Sequence, residues 1–447
     1  MSFSPETFLL DSELARDLYH EVAHTLPIHD YVTLFGYRSA LMQAGGPPLV
    51  QHWLGADLRL NLALQRQGLV LSEAATDQAA FGQWAAGLGQ MAGSPWHLEA
   101  QLALYHSFGV REWLSADTVA DIWPQVQAGL AEDGYSPQRL PVGGALAQVH
   151  TFYDPAQPDQ EPLISFPAHL PVKAHPAFCP DQVLALGQPN RWNSYLNRLR
   201  EPTDATLDHF IDLLDLLQQR VDQLAARGCR LAVHHLGDPG GVAYTDEEVN
   251  FLFHKLRLGH GLEPVEQAKI RSALLFHLLG MYHHHHWALY LVLGVHPADE
   301  GSPLPHLLDD QPLLQRLFWQ MDRWDQAGIL PKVILNLPGH RDLAAHLVGH
   351  YPKALMRMGL DLSLPQGPAA LGRQFDALRD VGLLGDGIGL GSGAAHPLAL
   401  VRHDYGRRVL CSWLAQQVAT GVLPADRPWL EQVLRTWGHE GVQAWLG

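Results

Sequence analysis

The chain has 447 residues, 47% hydrophobic and 17% charged, with a formal net charge of −16. That size and apolar content suit one large α/β barrel with insertions or two or three small domains, and argue against global disorder. The acidic balance argues against nucleic acid or an anionic membrane as the main partner, since both select basic patches.

The first helix is signalled by Asp11-Ser12 as its cap, with Leu14, Leu18 and Val22 on one face. Pro27 ends it, and Ile28 to Leu34 reads as the first strand. From about 36 to 136 the pattern is mainly helical, with apolar stripes around Leu60, Leu62 and Leu64 and around Leu102, Leu104 and Phe108. From about 140 alternation returns. Strands are predicted at Ala145–Thr151, Pro171–Ala174, Cys229–Val233, Leu289–Val295, Lys332–Asn336, Leu355–Leu360 and Gly387–Gly391. The helix Thr203 to Arg227 is the clearest connector, with Thr203 as cap, Gly228 as left-handed stop, and Leu207, Phe210, Ile211, Leu214, Leu217, Val221 and Leu224 as its buried face. Eight strands separated by helices predict an α/β fold, a TIM (β/α)8 barrel with a helical insertion after strand 1. The parts are residues 1–35 (helix and strand 1), 36–136 (insertion) and 137–447 (the rest of the barrel).

The amino terminus has no basic segment followed by an apolar one, so no signal peptide is expected and a cytoplasmic location is the default. The apolar stretch Leu274 to Val295 is broken by His283-His284-His285-His286, which favours a buried barrel element over a membrane span. The three cysteines, Cys179, Cys229 and Cys411, fit neither a disulfide framework nor a zinc knuckle.

Several segments, in order, resemble the uronate (glucuronate) isomerases of the amidohydrolase superfamily. They are Phe8 to Arg16, Asp30-Tyr31 on strand one, Phe81 to Ala85, Phe178-Cys179-Pro180-Asp181, Gly228-Cys229-Arg230, and Arg402-His403-Asp404-Tyr405-Gly406-Arg407-Arg408. The resemblance implies an aldose–ketose isomerase of carbohydrate metabolism, converting D-glucuronate to D-fructuronate. The residues that would carry that chemistry are mostly replaced. The family's Asp-Tyr-His-x-His on strand one stands here as Asp30-Tyr31-Val32-Thr33-Leu34, so its metal ligands fall on Val32 and Leu34. Its strand-five histidine falls on Val292, and its base and further metal contact fall on Gly393. The anion contacts fall on Cys179, Pro297 and Ala395. Of the family's Ser-Asp-His after strand four, His234 survives.

Isomerisation needs a base and a polarised carbonyl, and a carboxylate substrate favours an arginine fork. No side chain at the implied positions supplies these, so the family motif supplies no cofactor. The chain reads as a family member that has lost the metal site and its activity. It could then serve as a non-catalytic sugar-acid-binding or structural partner, with a homo-oligomer as the family's habit. A second reading is a metal-dependent isomerase or hydrolase with a rebuilt site. Imidazoles fall near many predicted strand ends: His150, His175, His234, His235, His296, His340 and His396. Zinc or another divalent metal would be held by His234, His175 and His296, with Asp154, Asp181, Asp238 or Asp361 as a carboxylate. Asp154 and Arg402 are further binding candidates, Arg402 reading first as a salt-bridge partner and only second as a substrate contact. A third reading is a working uronate isomerase with its catalytic groups at other positions.

Overall fold

A computed structural model describes residues 3–34, 58–69, 77–133, 146–156, 172–201, 203, 205–293, 311–337, 339–350, 355–363, 366–394 and 396–447. The chain divides into two compact units. The first is Met1–Thr151 with Ile164–Ala174 and Gly359–Ala444; the second is Phe152–Leu163 with His175–Met358 and Trp445–Gly447.

In the first unit, β1 (Ile28–Thr33) pairs in parallel with β2 (Leu146–Tyr153), with Ile28 opposite Leu146 and Asp30 opposite Val149. On its other side Thr33 bridges Ala394 in parallel. With β8 (Leu360–Asp361) parallel to β9 (Leu390–Gly391), the strands form a short all-parallel set. Every residue of β1 is buried, as expected where both faces of a parallel strand are covered. The first helix is capped as its sequence indicates, Ser12 Oγ accepting from the Ala15 N–H, and it runs from Glu13 to Asp17. Among the described residues between β1 and β2 are the helices Leu58–Arg66, Asp77–Gln90, Pro95–Phe108 and Val119–Asp133.

The second unit carries the parallel run β3 (Lys173–Phe178), β4 (Leu231–Leu236), β5 (Ala288–Leu293), β6 (Lys332–Asn336) and β7 (Met356–Met358). Several strand ends differ from their sequence reading: β2 runs to Tyr153 instead of Thr151, and the strand predicted at Leu355–Leu360 divides into β7 and β8. β3 extends to Phe178 instead of stopping at Ala174, and β4 extends to Leu236 instead of Val233. Parallel pairing of Ala177 and Phe178 with Leu231 and Ala232, and of His234 and His235 with Leu291 and Val292, keeps the backbone extended past the predicted ends.

The connector helix begins at Phe210, not Thr203, because the Asp212 carboxylate takes the N–H groups of Asp208 and His209 and starts the helix there. It ends at Ala226, and Gly228 takes the left-handed conformation (φ 84°) that other residues resist. Leu214, Leu217, Val221 and Leu224 are buried, but Ile211 faces solvent. The apolar stretch before β5 divides between the helix Pro264–His284 and the strand itself. Among the described residues no helix is long and apolar enough to cross a membrane. His286 lies beyond that helix at φ 56°, so His283 and His286 share no helical face.

Candidate functional site

Strand one shows what became of the implied metal position. Val32 is 1% exposed, and a Cβ on Gly391 would lie only 2.6 Å from its Cγ2, so the valine fills the space between the two strands. Leu34 is 44% exposed, with its N–H donating to the Ala394 carbonyl at 2.8 Å. Gly393 has φ 57°, and a Cβ there would lie 2.2 Å from the Ser363 Cβ. None of these side chains offers a lone pair, so the residues present do not fit a metal at that position.

Asp30, the frame residue beside them, has structural work. Its Oδ1 accepts from the N–H groups of Val32 (3.1 Å) and Ser392 (3.0 Å), its Oδ2 accepts from the Ser392 hydroxyl, and His403 Nε2 lies 3.2 Å from Oδ2. The helix Arg402–Ala419 is similarly engaged. Arg402 Nε donates to Glu99 at 2.8 Å and Nη1 to the Ser392 carbonyl at 3.0 Å, in a buried pair. Asp404 accepts from the Tyr19 hydroxyl, from His106 and from Arg408. Arg407 reaches the Leu26 and Pro27 carbonyls, and Arg408 those of Pro5 and Phe8. The segment that carries the sharpest family resemblance is therefore a buried scaffold.

The polar groups that converge lie in the second unit, where β3 and β4 end. Phe178 closes β3, and the chain turns through Cys179 and Pro180 to Asp181, nearly buried over the end of β4. Asp181 Oδ1 accepts from His234 Nδ1 at 2.8 Å, and its Oδ2 accepts from the His235 N–H at 2.9 Å and from His235 Nδ1 at 3.1 Å. The Cys179 thiol lies 3.6 Å from the same oxygen. Burial would raise the Asp181 carboxyl, but the hydrogen bonds from His234 and His235 outweigh it and hold the carboxyl well below the ordinary range. Burial first, then the Asp181 charge, pushes the Cys179 thiol well above its usual value.

His234 and His235 sit on opposite faces of β4 because strand side chains alternate. His234 is fully buried, and its Nε2 meets the Tyr282 hydroxyl at 3.0 Å on the helix Pro264–His284. Burial, then the nearby Asp181, pushes that phenol well above its usual range, so it stays a hydroxyl paired with Nε2. His234 Nδ1 must then carry the proton given to Asp181, since a lone pair facing a carboxylate would be repelled. Both nitrogens are thus occupied, and His234 positions Asp181 rather than facing a ligand. His235 is half-buried, beside Phe152 and Tyr290. Val292 pairs in register with His235 on one side and Asn336 on the other, and Asn336 donates to the Tyr290 hydroxyl at 3.1 Å.

Asp154, just past β2, accepts from the Tyr195 hydroxyl at 2.8 Å and the Ala156 N–H at 2.9 Å. Burial raises its carboxyl above the usual range, only partly offset by those two bonds. An ionised carboxylate, a raised carboxyl, an imidazole and an amide at strand ends can together bind hydroxyls and move a proton.

Of the candidates in the sequence reading, His234, His235, Asp154 and Asp181 lie at these strand ends. His175 lies within β3, with its Nδ1 3.8 Å from where a Cβ on Gly228 would sit, and His296 lies outside the described residues. Sequence reasoning did not use Tyr282 or Tyr195, and read Cys179 only as a lost arginine. A signal was available in Cys179-Pro180-Asp181, a ligand pair at i, i+2 beside a strand that ends in two histidines.

The family model for glucuronate isomerase matches residues 1–446. A uronate isomerase of Yersinia enterocolitica is 28% identical over 445 residues, covering 95% of this chain and 94% of that protein. One from Serratia proteamaculans is 28% identical over 454 residues, covering 97% and 96%. Among solved structures, the uronate isomerase of Thermotoga maritima superposes with a TM-score of 0.86 at 17% identity, covering all of both chains. The glucuronate isomerase of Caulobacter crescentus gives 0.82 at 19% identity, covering 100% of this chain and 97% of that one.

Proposed function

The chain belongs to the glucuronate isomerase family, and from that premise we propose that it is a member that has lost the strand-one metal centre and the glucuronate–fructuronate isomerisation that depends on it. What remains is a (β/α)8 barrel, with the helical segment after β1 as an insertion, that takes a small sugar acid at the carboxyl ends of its strands. The barrel reading draws support from the parallel runs in each unit and from the fold likeness to the Thermotoga protein.

One observation carries the loss. Val32 is sealed against Gly391, in a place that a valine fills, and Gly393 has no room for an acid. A metal there would have no protein ligand from either residue. The test is glucuronate isomerisation by the full chain, purified without a histidine tag, with and without added zinc or manganese. Turnover at a rate typical of enzymes, on the order of 1–1000 per second, would overturn the proposal. Conversion at the protein-free rate is expected.

The cluster around Asp181 favours a second reading, an isomerase or hydrolase on a rebuilt site. Asp181 is held ionised by two histidines, while Asp154 has its carboxyl raised. Two carboxyl groups pushed in opposite directions are a common basis for dividing acid and base roles. Turnover of another sugar acid that is lost in Asp154→Asn but not in Val32→Ala would establish this reading. Turnover abolished equally by both variants would sink it.

A further inference from the structure

We infer that Cys179, Asp181 and His235 form a binding site for one zinc-class divalent cation, with its fourth coordination position open. The inference deepens the rebuilt-site reading but replaces the expected ligands, and it stands or falls on metal binding rather than on turnover.

The geometry comes first. One ligand atom from each of the three residues lies within 4.8 Å of the other two. Asp181 Oδ2 is 3.1 Å from His235 Nδ1 and 3.6 Å from Cys179 Sγ. A tetrahedral zinc with its usual bond lengths separates nitrogen and oxygen ligands by about 3.4 Å, and sulfur and oxygen by about 3.6 Å. Shifts of a few tenths of an ångström would bring these donors into position. One thiolate, one imidazole and one carboxylate suit zinc or cobalt(II); calcium and magnesium prefer oxygen alone.

The supports are also in place. Cys179 and Asp181 flank Pro180 directly after β3, and His235 lies within β4, so the donors come from strand ends and a stiff turn. The other oxygen of Asp181 is held by His234, which Tyr282 holds in turn, so the carboxylate cannot rotate freely. Metal ligands are commonly braced by such an outer layer. The present arrangement sets a thiol against an anionic carboxylate, an unfavourable pairing for a thiolate. A dication reverses that preference: on binding, the thiol proton is released to solvent, and His235, whose Nδ1 now donates to Asp181, carries its proton on Nε2 so that Nδ1 offers its lone pair. Each donor also lies near the carboxyl end of a parallel strand, where barrel chemistry is placed.

The experiment uses the full chain without a tag, stripped with chelator and titrated with cobalt(II). The expected result is one equivalent bound, with a near-ultraviolet thiolate-to-cobalt charge-transfer band and strong visible bands of tetrahedral cobalt, both displaced by zinc. Cys179→Ser should abolish the charge-transfer band. His235→Gln, at a half-buried position, should weaken binding by more than about 100-fold, as removal of a direct ligand should exceed the outer-layer range. His234→Gln should retain the band but weaken binding about 10–100-fold. The run His283 to His286 has no sulfur and cannot produce the band, so a pale cobalt spectrum would mean adventitious binding and overturn the site. Substoichiometric uptake, or an unchanged band in Cys179→Ser, would also overturn it. Should Cys179→Ser fail to fold, His235→Gln decides the question: unchanged affinity refutes the site.

Discussion

Asp181→Ala gives the sharpest test of how the strand-end cluster is held. The substitution removes the acceptor for the buried His234 Nδ1–H and for the His235 backbone N–H. Each buried donor left unpaired costs about 1–3 kcal/mol, so the two together should cost about 2–5 kcal/mol after the carboxylate's own desolvation is relieved. Asp181→Asn keeps one acceptor oxygen and should cost about 1–2 kcal/mol. Urea unfolding at neutral pH, followed by circular dichroism, measures both as midpoint shifts at constant slope. The pH dependence has a definite sign. The folded carboxyl is held below its unfolded value, so its contribution is full above roughly pH 4 and is lost as pH falls below that. The gap between wild type and Asp181→Ala should therefore be flat from about pH 5 to 7 and narrow by about pH 3. A gap below about 1 kcal/mol at neutral pH, or one that persists undiminished in acid, would refute the reasoning.

Three further outcomes are expected. Gly393→Asp, which restores the family's acid, should lower the melting temperature without restoring isomerisation, because the new Cβ overlaps Ser363 at a left-handed backbone position costing about 1–2 kcal/mol by itself. Differential scanning calorimetry with the glucuronate assay checks both parts. Arg402→Met should cost about 3–5 kcal/mol in urea unfolding by removing the guanidinium that faces the buried Glu99 carboxylate. Its cobalt titration should be unchanged. Asp154→Asn should relieve a carboxyl that burial already disfavours. It should change stability by less than about 1 kcal/mol at neutral pH, read by urea midpoint, because Tyr195 and Ala156 keep an acceptor.

Much of the scaffold was legible because it is local chemistry. Ser12 caps its helix and Gly228 ends another, since each satisfies a short-range need of the backbone. β6 falls at Lys332–Asn336 as read, being a short apolar run between turn signals. The ends of β3 and β4 were not legible, because they depend on strand pairing and on a carboxylate 53 residues from His234. Asp181 stood among the candidate acids, but its grip on both neighbouring histidines needed coordinates. The same holds for Asp212, which moves the connector helix start to Phe210 by taking two N–H groups that Thr203 does not reach. Ile211 was assigned to the buried face by periodicity, but it lies on the wet edge of that stripe. The strand-one losses were legible as residue types. Whether another residue filled the space was not, and the contact of Val32 with Gly391 answers it.

The clasp made by Asp30 has a consequence for folding. It ties β1 to Ser392 through protein groups alone, so this corner of the fold needs no cation to close. In a domain that folds only around its metal, losing a ligand is a folding defect and is purged at once. Here a substitution at position 32 or 34 leaves the clasp's own hydrogen bonds in place, so loss of a ligand there is not by itself a loss of the clasp. A scaffold closed in this way holds its fold independently of the chemistry at its strand ends.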